Sequence, residues 1–407
     1  MRKPYKFTRS KQLWKKAQKL IAGGSQGTRT PVFPEFPIYF DRCSGCRMRD
    51  VDGNEFIDLL CSIGPVILGY AYQPVDDAVR KIMAASFQSS MNHPVQLELA
   101  QLLIDLIPCA ERVRFLKTGT EATQAAVRLA RHITGRTYVA RHGYHGWADM
   151  WWHGKTSGVH KAAWEVIPPF DGTPDGLEKL FRETKEKFAA VILCPADTRP
   201  FSRANYQGII DAAHRHGALV IFDEIKSGFR TALGGAQEVL GVVPDLTTVS
   251  KGMANGYPLA AVVGLEKYMK RFPETPTAGT FSVEALSITA SLATLREMQK
   301  KNVVAHLNEM GGRLIDGLNK ICAERGIEEA LAYPDPTASM PRFTWKPGTE
   351  DSSHPAHRYF YSQCCRYGLF FSNWHVAFIN YSHKKKDIDE ALEICDFVLA
   401  KTRKRFY

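Results

Sequence analysis

Between residues 110 and 265 the chain alternates short apolar runs with stretches of helical spacing, and this alternation limits its fold more than any other feature. The runs at 113–116, 189–194, 218–222, 246–250 and 259–264 are four to six residues long. Repeated strand and helix patterns of this kind build a parallel sheet with crossover helices. Residues 120–134 predict the clearest helix. Ala122, Ala125, Ala126, Leu129, Ala130 and Ile133 recur at the spacing of one apolar face, and Gly135 follows as a stop.

The two ends read differently. Residues 10–21 predict a basic helix, 23–37 are rich in Gly and Pro, and Asp52-Gly53-Asn54 is the turn of a predicted hairpin. The last hundred residues predict a helix at 302–325, strands near 342–345 and 374–381, a loop-like stretch over 334–349, and a closing helix at 387–401. The expected fold class is α/β: a large domain with a mostly parallel sheet, plus a smaller α+β domain made from both chain ends. In numbers, 1–65 is an N-terminal arm and part of the small domain, 66–300 the large domain, and 301–407 the C-terminal small domain.

Composition narrows the class. At 407 residues the chain is long enough for two or three domains, and 44% hydrophobic with 23% charged residues is the profile of a globular enzyme rather than a disordered chain. The apolar runs fall far short of the roughly 20 residues that span a bilayer. The basic start, Met1-Arg2-Lys3-Pro4-Tyr5-Lys6, is followed by mostly polar residues without the apolar centre of a secretory signal, so a cytoplasmic location is expected. The charge surplus, 53 − 42 = +11, suits an anionic ligand or a nucleic acid. A merely basic surface would give the same surplus, so charge alone does not choose; the spread of the basic residues and the lack of a nucleic-acid motif disfavour a nucleic acid. Nine cysteines, with Cys43/Cys46 and Cys364/Cys365 unaccompanied by a second Cys-x-x-Cys, predict reduced structural thiols and no metal site.

Three places carry candidate chemistry. After the run 113–116, Thr118 and Glu121 have capping-box spacing, which leaves Gly119 and Thr120 in the first helical turn, where free N–H groups and a partial positive charge suit a phosphate. A capped helix without a ligand has the same sequence. There is no Gly-x-Gly-x-x-Gly and no Gly-Lys-Ser/Thr loop, which disfavours a dinucleotide or a nucleoside triphosphate. Asp223 and Glu224 follow the run 218–222, where a carboxylate can face a ligand beyond the strand end or cap a helix. Lys251 follows the run 246–250 and precedes Gly252, Gly256 and Pro258. A partly desolvated lysine there becomes nucleophilic towards a carbonyl, although a solvated lysine would look alike. Together, a phosphate cradle, a carboxylate for a ring nitrogen and an amine for an aldehyde are what pyridoxal phosphate requires.

At this point the chain resembles a known family. Lys117-Thr-Gly-Thr-Glu-Ala, Gly143-Tyr-His-Gly, Phe222-Asp-Glu-Ile-Lys-Ser-Gly-Phe-Arg, Pro244-Asp-Leu-Thr-Thr-Val-Ser-Lys-Gly and Ala278-Gly-Thr-Phe-Ser look like successive motifs of the class III aminotransferases, nearest the glutamate-1-semialdehyde 2,1-aminomutase branch. The resemblance runs over residues 10–400 and implies fold type I, with pyridoxal 5′-phosphate as cofactor. It implies Lys251 as the Schiff-base lysine, Asp223 as partner of the pyridine nitrogen, Tyr144 on one ring face with His145 beside it, and Ile225 on the other face. Gly119 and Thr120 would bind the phosphate, joined by Thr280 from the second subunit of a homodimer with a shared active site.

On the substrate side the chain departs from its relatives. Many of them have Glu-Pro after the central strand and a late Arg, which together form a switchable carboxylate site. Here Cys194-Pro195 stands at the first position, and Val376-Ala377-Phe378-Ile379 contains no arginine. Arg29 loosely matches the carboxylate-binding Arg of the aminomutases. Trp374, with Trp147, Trp151 and Trp152, suggests an aromatic pocket, though core tryptophans would look the same. The expected activity is transamination between a small-molecule amino donor and a carbonyl acceptor, such as a keto-sugar or specialised metabolite. An aminomutase or an epimerase on the same scaffold is the alternative.

Overall fold

Six strands make the central sheet: β1 (Arg112–Leu116), β2 (Tyr138–His142), β3 (Phe188–Leu193), β4 (Leu219–Asp223), β5 (Leu246–Val249) and β6 (Ala260–Gly264). Their spatial order in the computed structural model is β1-β6-β5-β4-β3-β2. Strands β2 to β5 pair in parallel, while β6 is antiparallel to both β5 and β1. Five strands therefore run one way and place their carboxyl ends along one edge. The structure describes residues 2–26, 36–85, 87–152, 158–345 and 354–407. By its contacts the chain divides into two units, Gln73–Val304 and Met1–Tyr72 with Ala305–Tyr407.

In the larger unit, every residue of β3, β4, β5 and β6 is buried. Strands buried on both faces show continuous apolar runs rather than alternation, which is why the sequence displays them so plainly. Helix α1 (Gly119–Thr134) lays Ala122, Ala125, Ala126, Leu129 and Ala130 on the sheet, and the small side chains let its backbone come close. It ends at Gly135, whose φ of 65° is the left-handed conformation a glycine adopts without cost. Helix α2 (Ala285–Lys300) is capped by the Glu284 carboxylate, which accepts from the N–H groups of Leu286 and Ser287.

In the other unit, Phe40–Ser44, Arg47–Asp50 and Glu55–Asp58 form an antiparallel sheet, to which Leu369–Phe370 adds in parallel. Asp52-Gly53-Asn54 does turn the second hairpin, and Asp50 Oδ1 accepts the N–H groups of Asp52 and Asn54. Arg47 reaches Asp387 at 2.8 Å and Glu390 at 2.7 Å, joining the early strands to the terminal helix Lys385–Phe406.

Two sequence expectations need correction here. Residues 374–381 form no strand. Their N–H groups go to alternating sides, Ala377 to Pro341 O and Ile379 to Ser339 O, but Phe378 to Leu59 O and Tyr381 to Ile67 O, so no continuous ladder develops. Within 334–349, expected as a loop, Pro341–Trp345 pairs with Ala330–Pro334 as a hairpin, and residues 346–349 lie outside the described residues. Among the described residues, no helix is long and apolar enough to cross a membrane.

Candidate active site

The edge formed by the carboxyl ends of β1 to β5 collects most of the residues singled out above. At the end of β1, Thr118 caps α1 by accepting from Glu121 N–H at 3.3 Å, and Glu121 Oε2 in turn accepts from Thr118 N–H at 2.9 Å. Such a cap is worth about 1 kcal/mol. The box uses these two N–H groups; those of Gly119 and Thr120 belong to the first turn, which has no intrahelical acceptor to offer them. A side chain at Gly119 is excluded, because a Cβ there would lie 2.6 Å from Ile225 Cδ1.

The loop after β2 is docked onto this turn. Thr123 Oγ1 donates to His145 O at 2.8 Å, and Trp147 N–H donates to Thr120 Oγ1 at 3.4 Å. At Gly146, with φ of 125°, a Cβ would meet Thr120 Oγ1 at 2.5 Å, so glycine is required both for conformation and for space.

Asp223, at the end of β4, is 2% exposed. Its carboxylate accepts from His145 Nδ1 at 2.8 Å, Thr248 Oγ1 at 3.2 Å and Ile225 N–H at 3.2 Å. An ionised carboxylate only accepts, so His145 carries its hydrogen on Nδ1. The buried His145 Nε2 has no hydrogen-bond partner among the described residues, and the ring packs edge-on to Trp151 with centroids 5.1 Å apart. Glu224 is turned the other way. It accepts from Ala236 N–H at 2.6 Å, Gln237 N–H at 3.1 Å and Ser227 Oγ at 2.8 Å, and burial raises its pKa. Of the two adjacent acids, Glu224 ties down the following loop and Asp223 serves the site edge.

Lys251 follows β5 with φ of 43°, a left-handed backbone that costs a non-glycine residue about 1–3 kcal/mol and tends to occur at functional positions. Ser250 holds the turn by donating from Oγ to Leu259 O at 2.7 Å. Burial lowers the pKa of the Lys251 amine and the Lys226 cation lowers it further, against the opposing pull of Asp223 and Asp197. A lowered amine pKa favours the neutral, nucleophilic form.

Lys226 lies in the motif that follows β4, and the sequence alone assigns it no role. Its Nζ lies 2.7 Å from Asp197 Oδ1, in the loop after β3. Burial works against the Asp197 charge, yet Lys226 holds that carboxyl well below the usual carboxylate range. Nothing in the sequence signals this pairing across 29 residues.

The donor set fits pyridoxal phosphate: a helix start for the phosphate, a buried carboxylate for the ring nitrogen and an amine of lowered pKa for the aldehyde. Gly119, Thr120, Tyr144, His145, Asp223, Ile225 and Lys251 all stand at this edge. Tyr144 is 64% exposed and Trp147 is exposed too, whereas Trp151 is buried. Thr280 is exposed on the loop before α2, where its carbonyl accepts from Gln88 Nε2 at 3.1 Å. Trp374 belongs to the other unit, where its N–H donates to Ser372 Oγ at 3.3 Å. Arg29 lies outside the described residues. Among the described residues, no three His, Cys, Asp or Glu side chains are grouped as metal ligands.

Comparison with known proteins gives the family. The family model described as aminotransferase class-III matches residues 31–330. The chain is 34% identical to the 3-aminobutyryl-CoA aminotransferase of Cloacimonas acidaminovorans (strain Evry), over 99% of this chain and 100% of that protein. It is 31% identical to the glutamate-1-semialdehyde 2,1-aminomutase of Methylacidiphilum infernorum (isolate V4), over 97% and 98%. Among solved structures, the pyridoxal-phosphate internal aldimine form of the Sphingopyxis sp. MTA144 FumI protein superposes with a TM-score of 0.91 at 26% identity, covering 98% of this chain and 97% of that one. The fold is that of the fold type I pyridoxal-phosphate-dependent transferases, and the cofactor is pyridoxal 5′-phosphate. A family match over three quarters of the chain and relatives aligned almost end to end leave one conclusion, that this chain belongs to the class III aminotransferases.

Proposed function

We propose that this class III aminotransferase moves an amino group between separate donor and acceptor molecules, and that the carbonyl substrate is not held through a glutamate-type carboxylate switch. A keto-sugar or a specialised metabolite fits that description. Cys194 is the observation that carries the reading. It stands where many relatives have the switch glutamate, it is fully buried, and burial pushes its thiol well above the ordinary range, so it supplies no anion to exchange with a substrate. The likeness to a 3-aminobutyryl-CoA aminotransferase supports transamination, while the glutamate-1-semialdehyde aminomutases at 31–33% identity support an intramolecular transfer as the second reading.

When bound, the cofactor supplies an electron sink for the pair left on the substrate carbon as its proton departs. Lys251 would hold the cofactor through Nζ and afterwards move that proton. Asp223, oriented by His145 and Thr248, would keep a proton on the ring nitrogen. Gly119 and Thr120 would hold the phosphate, with Tyr144 and Ile225 against the two ring faces. Asp223 is buried and Ile225 lies close against Gly119, so the inner side of the site is closely packed.

The test is a screen of candidate amines against the holoenzyme, following loss of the visible cofactor band and release of the keto product. The reading predicts stoichiometric release of a free carbonyl compound from an amine other than glutamate. Conversion of an amino-carbonyl substrate with no released carbonyl would favour the aminomutase.

Two copies would share the site. Phe281 is 62% exposed, and Phe87, Met91 and Val283 are exposed too, an apolar set joined by Gln88 donating to Thr280 O and Gln96 donating to Val283 O at 3.0 Å. An exposed set of this kind suits a second copy, which would bring Thr280 to the partner's phosphate. Thr280→Ala should then weaken cofactor retention about tenfold and lower dimer stability by linkage. Sedimentation with and without cofactor checks this; a monomer that binds the cofactor as tightly as the dimer would defeat it.

A further inference from the structure

We infer that Lys226, clamped by Asp197, is a positioning residue that acts electrostatically on Lys251: a second cation fixed at the same sheet edge, set to act on the reactive nitrogen without touching the substrate. The inference rests on the reading of Lys251 given above and deepens it.

The geometry begins with the strands. In the register of the sheet, Leu193 of β3 pairs with Phe222 of β4, and Asp223 of β4 with Thr248 of β5, so the three strands end nearly level. Asp197, Lys226 and Lys251 lie in the turns just past those ends. Glu224 N–H donates to Thr248 O at 2.9 Å, and a Cβ at Gly228 would lie 3.5 Å from Val249 Cγ1, so the turn that carries Lys226 packs on the end of the strand leading into Lys251. Within the ion pair, the Lys226 side chain is 10% exposed and that of Asp197 32%. The ammonium is therefore the inner partner and the carboxylate the outer one. Gly143 makes room for this arrangement, since a Cβ there would come 2.8 Å from Cys194 Cβ and 3.5 Å from Asp197 Oδ2.

A partly buried ion pair adds little to stability, because desolvation consumes most of the attraction. Its value here lies in the field it makes. The charged and titratable groups facing the Lys251 nitrogen are Lys226 and Asp223 from β4 and its loop, Asp197 and Cys194 from the loop after β3, and His145, bonded to Asp223, from the loop after β2. From α1 come only Gly119 and Thr120, which carry no charge. Lys226 is the one cation in this set, and its charge adds to burial in lowering the pKa of the Lys251 amine. Asp197 limits its reach, so the pair works as a tuned field rather than a bare charge. The motif residue between Ile225 and Ser227 thereby gains a role that packing alone would not require.

Removing either partner should move Lys251 in opposite directions. In the holoenzyme, the pH at which the visible cofactor band changes reports protonation at Lys251 Nζ. Lys226→Met deletes the cation and leaves the Asp197 anion, so protonation becomes easier and the midpoint should rise by about one pH unit. Asp197→Asn leaves the cation unscreened, and the midpoint should fall. Lys226→Arg should restore the wild-type value to within about 0.3 unit. A midpoint unmoved by Lys226→Met, or moved the same way by both variants, would overturn the inference while leaving the assignment of Lys251 intact. Should Lys226→Met fail to fold, an unchanged or raised midpoint in Asp197→Asn overturns it equally. If Lys251→Ala showed the same titrating band as wild type, the assignment of Lys251 would fail, and the inference with it.

Discussion

Lys251→Ala is expected to fold, to bind pyridoxal phosphate only reversibly, and to lose at least about 10³-fold in turnover. The reason is positional. Lys251 is the lysine at the carboxyl end of β5 in a left-handed backbone, and burial and the Lys226 charge bring its amine below the ordinary lysine range. Among the described residues, Lys117 and Lys226 near this edge are engaged in ion pairs with Glu284 and Asp197. In the proposed function Lys251 both holds the cofactor and moves the proton, so its loss would remove a covalent anchor and a general base together, and such losses are large. Thermal unfolding should shift by only a few degrees, because the alanine fills the same turn. Turnover within threefold of wild type would show that another residue does this work.

Asp223→Asn is the second large effect, expected at a hundredfold or more in kcat with cofactor retained. The carboxylate is buried and accepts from His145, Thr248 and Ile225, which fix its orientation. An amide in its place preserves shape but removes the charge that the proposed function sets against the ring nitrogen, and charge stabilisation of this kind is worth several kcal/mol. Steady-state kinetics beside the absorbance of the bound cofactor separates the two outcomes. A rate within about threefold of wild type would rule out the role.

Much of this was legible in the sequence, and the reason is topological. In a parallel sheet buried on both faces, each strand is an uninterrupted apolar run, and the residue that follows it is delivered to the active edge. Asp223 and Lys251 could therefore be placed from the ends of two runs, and Gly119 and Thr120 from a capping box that the structure forms as expected. Strand β2 was not anticipated. Only Val139 and Ala140 are buried along it, and a run of two apolar residues is too short to register. The reversed direction of β6 was equally hidden, since an antiparallel strand buried on both faces has the same composition as a parallel one.

Other features depended on contacts distant in sequence. The segment 374–381 has the apolar character of a strand, but its hydrogen bonds divide between two sides, and no periodicity encodes that division. Asp223 and Glu224 are adjacent and chemically alike, and only the acceptors used by each tell them apart. The Asp197–Lys226 pair joins two loops that follow neighbouring strands, so it could be recognised only once strand order was known.

The account rests on one covalent assignment, and it can be read directly. Holoenzyme is treated with borohydride, which fixes a lysine-bound cofactor as a stable secondary amine, then digested, and the modified peptide is identified by mass spectrometry. The structure predicts the label on Lys251, in near-stoichiometric yield, and its absence from Lys251→Ala. A label found instead on Lys226 or Lys117, or an unlabelled protein that retains full turnover, would contradict the account.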